Sequence, residues 1–133
     1  MSANLDLVRS IYANWERGDF SSAEWADPEI EYVWPDGPSP GRWRGGVGMA
    51  DATRDWLSAW DDWRFQIDEL QELDEERVLV ILTYGGRGKA SRLDVERLGG
   101  KGAQLFHLRD GKVTKLVRWI DHKHALADLG LEG

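Results

Sequence analysis

Two polar side chains stand on otherwise apolar β-type runs near the C-terminal end of this sequence: Gln104, in line with Phe106 and Leu108, and Arg118, in line with Leu116 and Ile120. In a strand, alternate residues share a face, so each polar group keeps apolar company. An amide or guanidinium in such a place is hydrogen-bonded, ion-paired or holding a ligand. An ion pair with Glu31 or Glu96 gives Arg118 a structural explanation. A clamp on a carboxylate, carbonyl or enolate gives it a functional one. Tyr32, Trp34, Trp56 and Trp60, with Phe106, supply an apolar wall suited to a flat or cyclic small molecule. The carboxylates placed for proton transfer are Asp36 and Asp121. A Pro-Asp-Gly turn explains the first without catalysis, and a helix cap explains the second.

Other groups point nowhere. His122 and His124 stand two apart, with His107 elsewhere, and no carboxylate or cysteine completes a ligand set. The run Gly85-Gly86-Arg87-Gly88-Lys89 lacks phosphate-loop spacing and no helix follows it. Neither a metal nor a cofactor is expected.

The elements that must position these residues follow from periodicity. Leu5, Val8, Ile11, Tyr12 and Trp15 recur at helical spacing, predicting a helix over 5–17 that Asn4 caps and Gly18 ends. Ser21 with Glu24 fits a capping box for a short second helix. Glu29 to Trp34 alternates as a strand, and Pro35 to Gly46 reads as a loop whose arginines and Trp43 could rim a cavity. A third helix spans Val47 to about Asp61, with Met49, Thr53, Trp56 and Trp60 on one face. Sheet follows: Phe65 to Leu73, Arg77 to Tyr84 (apolar enough to be buried on both faces), and Ser91 to Leu98. Next comes AQLFHLRDGKVTKLVRWID, a hairpin turning at Asp110-Gly111. A short helix from His122 to Leu129 closes the chain. Helices that precede an antiparallel sheet indicate the α+β class.

Composition narrows the partners. A chain of 133 residues with 41% hydrophobic residues reads as one folded domain. A net charge of −7 disfavours nucleic acid. No run approaches the roughly 20 apolar residues of a membrane span. The first residues lack a signal peptide's pattern, so a cytoplasmic location is expected. With no cysteine there is no thiolate chemistry. Eight tryptophans, each able to bury about 150–250 Å², suffice for both core and pocket wall.

In their order and spacing, VRSIYANWERGDF (8–20), DPEIEYVWP (27–35), GRWRGGVGMADATRDWLSAW (41–60) and LFHLRDGKVTKLVRWIDHKHALADLGL (105–131) resemble the SnoaL-like group of the nuclear transport factor 2-like superfamily. The resemblance covers nearly the whole chain. It implies a cone-shaped α+β barrel, a curved antiparallel sheet wrapped around N-terminal helices with a short C-terminal helix. It also implies a homodimer formed through the outer sheet face, where Trp119 would be a contact. Members include ketosteroid isomerases, epoxide hydrolases, polyketide cyclases, dehydratases and binding proteins, so the fold does not dictate the activity.

The known catalytic patterns are not matched. Ketosteroid isomerases carry a carboxylate base just before the proline after the first strand; here Trp34 precedes Pro35 and Asp36 follows it. Their tyrosine and protonated acid, which donate to an oxyanion, align with Ile11 (Tyr12 is adjacent) and Gln104. An amide can donate a hydrogen bond but cannot replace the base. Limonene-type epoxide hydrolases need an Asp–Arg–Asp set; the aspartates of their last strand align with Arg118 and Asp121, and Thr83, Tyr84 and Gly85 replace the Arg-x-Asp group. Polyketide cyclases of the SnoaL type use an acid in the cavity, for which Asp36, Asp121 and Glu96 are candidates, although alternation sets Asp121 on the face opposite Arg118. The sequence thus implies a small-molecule-binding protein with an aromatic-lined cavity. The alternatives are a cofactor-independent cyclase, isomerase or dehydratase acting on a cyclic or polyketide-like substrate, and a dimeric interaction module.

Overall fold

At the hairpin turn, Asp110 and Gly111 take φ of 53° and 76°. A two-residue loop joining antiparallel strands needs positive φ at both positions, which Asp-Gly accepts at low cost. The computed structural model containing this hairpin describes residues 3–16, 25–35, 41–58, 60–88 and 97–130; the side chains of residues 16, 55–65 and 86–99 lie outside the description. The short helix expected at Ser21–Glu24 and the strand start expected at Ser91 also fall outside it.

The described elements are α1 (Ala3–Glu16), β1 (Ala26–Trp34), β2 (Gly41–Arg44), α2 (Gly45–Ser58), β3 (Trp60–Asp74), β4 (Arg77–Gly88), β5 (Arg97–Arg109), β6 (Lys112–Trp119) and α3 (His122–Asp128). The strands form one curved six-stranded sheet in the order β2-β1-β6-β5-β4-β3. This is the expected α+β cone, with two differences. β1 runs parallel to β6, so the sheet is mixed rather than wholly antiparallel. The sheet does not close into a barrel. Apolar alternation reports which face a residue takes, not the direction of the neighbouring strand, so the parallel pair carries no sequence signature. Three register shifts in the β3–β4 pair bend the sheet.

α1 lies on the concave, inner face. Val8, Ile11 and Tyr12, on the predicted stripe, are at most 1% exposed. Each such side chain contributes about 1.5–3 kcal/mol relative to one left in water. They join Ile30, Phe106, Leu108 and Leu116, with Met49 and Ala52 of α2, in a single cluster. Asn4 does not cap the helix: it lies within α1 and its Nδ2 donates to the Glu75 carbonyl at 2.7 Å, tying α1 to the β3–β4 turn. The expected loop before α2 contains a strand, β2, paired antiparallel with β1 so that Trp43 faces Tyr32. β4 is buried on both faces as predicted, with Val78, Val80 and Leu82 inside and Leu79 and Ile81 outside.

On the outer face, α3 covers Leu79, Ala103, Leu105, Val117 and Trp119 through Ala125, Leu126 and Leu129. Trp119 is therefore internal: it is 5% exposed and its Nε1 donates to Asp128 Oδ2 at 3.0 Å. Gly102 makes a close approach possible at the far end of β5. A Cβ there would lie 2.7 Å from the Trp119 carbonyl oxygen and 3.1 Å from the Tyr84 ring, whose hydroxyl donates to the Ile120 carbonyl at 2.8 Å.

Candidate functional site

Counting outward from a two-residue turn would set Gln104 opposite Val117, and Arg118 on the other face. The observed register differs. Arg109 pairs with Lys112 and Leu108 with Val113, but His107 pairs with Lys115, so Thr114 is an extra residue in β6. Its Oγ1 donates to the His107 carbonyl at 3.3 Å. A one-residue bulge moves every later side chain to the opposite face. Gln104 now stands directly across from Arg118, with Phe106 across from Leu116, all facing α1.

Tyr12 reaches this pair from the helix. Its hydroxyl donates to Gln104 Oε1. Its ring meets Phe106 and Trp15 edge-on, at centroid distances of 5.8 and 5.1 Å. Burial raises the Tyr12 pKa well above the ordinary phenol value, and the nearby Arg118 charge offsets only part of this. The phenol therefore keeps its proton across the neutral range and acts as a donor.

Arg118 is only partly buried, and its Cζ lies 5.1 Å from the centroid of the Trp34 ring. A guanidinium over an indole face is worth about 0.5–1 kcal/mol or more when desolvated, and the contact fixes where the charge points. Trp34 is supported edge-on by Tyr32 at 5.6 Å and by Trp43 at 4.7 Å. β1 places Tyr32 and Trp34 on the inner face by alternation, beside the Leu116–Arg118 stretch of β6.

Of the site residues proposed from sequence, Tyr32, Trp34, Gln104, Phe106 and Arg118 thus come together on one face. Asp36 and the side chains of Trp56, Trp60 and Glu96 lie outside the described residues. Glu31 is not the partner of Arg118. It points to the outer face, where its carboxylate lies 3.8 Å from Arg42 and 3.6 Å from Lys115. Asp121 is the N-cap of α3, its Oδ1 accepting from the Lys123 amide at 2.9 Å, with its side chain largely exposed. The sequence puts Tyr12 on the buried helix stripe, next to the position aligned with the isomerase tyrosine, and Trp43 on a loop that could rim a cavity; it shows neither the bond of Tyr12 to Gln104 nor the packing of Trp43 on Trp34. For Tyr12 the usable signal is a hydroxyl on an apolar helix stripe, which needs an interior partner.

The arrangement offers hydrogen-bond donors set in an aromatic wall. Among the described residues no three histidine, cysteine or carboxylate groups converge as a metal site, and no helix is long and apolar enough to cross a membrane.

Solved structures repeat this architecture. An NTF2-like protein from Burkholderia pseudomallei K96243 is 21% identical and superposes with a TM-score of 0.78, covering 96% of this chain and 97% of its own. TerC, crystallised with polyporic acid, is 22% identical with a TM-score of 0.74 over 96% and 98% of the two chains. A protein from Xanthomonas campestris pv. campestris, named as a polyketide cyclase, is 18% identical with a TM-score of 0.71 over 94% and 95%. A search of curated proteins finds no match. The family model of the SnoaL-like domain matches residues 8–116, and the chain belongs to that family.

Proposed function

We propose that this protein binds a small aromatic or cyclic molecule on the inner face of its sheet. The ring rests on Trp34 and Tyr32, and the polar end meets Gln104 and Arg118. The observation that supports this most is the cross-strand Gln104–Arg118 pair held inside an aromatic wall, with Arg118 seated over Trp34. A guanidinium on the concave side of a core is costly unless it serves several acceptors, and ligand sites combine such a polar group with aromatic walls. A structural relative, TerC, was crystallised with an organic acid, polyporic acid, which is in keeping with a small-molecule site in this fold.

A second reading keeps the same site and makes it that of a cofactor-independent cyclase, isomerase or dehydratase. It is favoured by the Arg118 guanidinium directly across from the Gln104 amide, where donors can stabilise a developing oxyanion, and by the structural relative named as a polyketide cyclase. Under this reading Tyr12→Phe lowers turnover by freeing the Gln104 amide to turn, with the ligand still bound; under the first there is no turnover to lose.

Nitrogen-15 NMR with 2-naphthoate and, separately, 2-naphthamide tests the binding reading. Binding of either compound should shift the side-chain amide of Gln104 and the backbone amides near Arg118 and Tyr12. Shifts confined to α3 or to the β3 edge, or no shifts with either compound, would overturn it.

A further inference from the structure

Resting on the binding reading above, we infer that the site selects ligands carrying an ionised oxygen, and that Tyr12 is the positioning residue that imposes the selection by orienting the Gln104 amide. The ligand class is a planar aromatic or conjugated carboxylate, phenolate or enolate.

A glutamine amide has an acceptor end and a donor end, and its partners decide which end faces where. Tyr12 donates its proton to Oε1, so the acceptor end is taken up on the helix side. Among the described residues Nε2 has no acceptor, although Gln104 is half-buried. Its two N–H groups are thus left for water or a ligand. Burial keeps the Tyr12 hydroxyl protonated, so this orientation does not relax near neutral pH.

Arg118, directly across the strand pair, has five N–H donors and no acceptor, enough to serve a ligand oxygen alongside its contacts with the protein. Trp34 holds it from one side. The polar groups presented to a ligand are therefore donors. An ionised oxygen meets them with charge-assisted bonds, the stronger kind. A neutral amide offers those donors only its carbonyl oxygen, in uncharged bonds, and its own N–H groups find no acceptor beside them, which is costly in a half-buried place. The chain's net charge of −7 gives an anion no long-range attraction, so the preference arises at short range.

The test is isothermal titration of 2-naphthoate and 2-naphthamide, nearly isosteric and differing in charge, into the wild type, Tyr12→Phe and Gln104→Glu at pH 7.5. The wild type should bind naphthoate about tenfold or more tightly, the scale of one charge-assisted hydrogen bond. Tyr12→Phe keeps the ring packing but frees the amide to turn, so the naphthoate-to-naphthamide ratio should shrink several-fold while naphthamide affinity holds. A purely structural Tyr12 would lower both affinities and leave the ratio alone, and that result overturns its positioning role. Should Tyr12→Phe not fold, Gln104→Glu carries the test: replacing the donor end with a carboxylate should reverse the preference, and a retained naphthoate preference overturns the inference. Equal wild-type affinities would overturn the ionised-oxygen selection while leaving the binding reading intact. Binding of neither compound would overturn both.

Discussion

On the outer face of β1, β4, β5 and β6, charge meets charge. Glu31 lies between Arg42 and Lys115, Arg77 is held by Asp74 at 2.8 Å, and His107 stands in the same cross-strand row between Arg77 and Lys115. Next to that row the face is apolar and covered by α3, and beyond it Thr83 and Lys101 both meet Asp68. On the inner face of β5 and β6 the polar pair is an amide and a guanidinium, with Tyr12 and Trp34 as partners and a donor to spare. One sheet thus has an outer side whose charges pair among themselves and an inner side where the Gln104 amide keeps its donor end to offer. The difference separates polar residues that complete a fold from those that, in the proposed binding, meet a ligand.

Breaking the comparison begins with its apolar half. Trp119→Ala should cost about 3–5 kcal/mol of stability in urea unfolding, as truncating a buried aromatic does. The folded fraction should bind naphthoate as before, because Trp119 faces away from the site; a small stability loss would mean that α3 does not anchor on it. Arg118→Ala should do the reverse. Naphthoate affinity should fall about tenfold or more, with a stability change of about 1 kcal/mol, the scale of its contact with Trp34. A large loss of stability with affinity kept would make Arg118 structural.

Asp121→Ala should destabilise by about 1 kcal/mol through the lost α3 cap, and Asp121→Asn by far less, since asparagine caps well. Binding and any turnover should survive Asp121→Asn; loss of turnover in a folded protein would assign Asp121 to catalysis. The smallest effect is at His107, whose pKa is lowered from 6.5 by burial first and then by Lys115 and Arg77, with Asp74 and Glu31 opposing. As pH falls through about 6.5 the unfolded chain takes up this proton before the folded one does, so stability declines toward acid. His107→Gln should flatten that decline in denaturation measured from pH 7.5 to 5.5; equal slopes would show that His107 is not coupled to folding.

Much of this was legible because the physics was local. The α1 stripe, β4 buried on both faces, the Asp110-Gly111 turn and the polar exceptions Gln104 and Arg118 all follow from spacing within one element. What was not legible depends on partners distant in the chain. Thr114 looks like any strand threonine, yet as the bulge residue it carries Arg118 to the side of Gln104. The alternation of Gly41-Arg42-Trp43-Arg44 is too short to separate from a turn until β1 lies beside it. Tyr12 meets Gln104 across 92 positions, through the rotation of α1 against β5, which helix periodicity alone leaves free by a residue. Ile11 aligns with the tyrosine of the ketosteroid isomerases, and its neighbour Tyr12 carries the polar contact.

The most direct test of a donor-lined inner face is a crystal structure of the protein with 2-naphthoate. The account predicts the ring against Trp34 and a carboxylate oxygen within about 3.2 Å of both Gln104 Nε2 and an Arg118 nitrogen, with Tyr12 still bonded to Oε1. A carboxylate bound elsewhere, or an amide turned to present Oε1 toward the ligand, would contradict it.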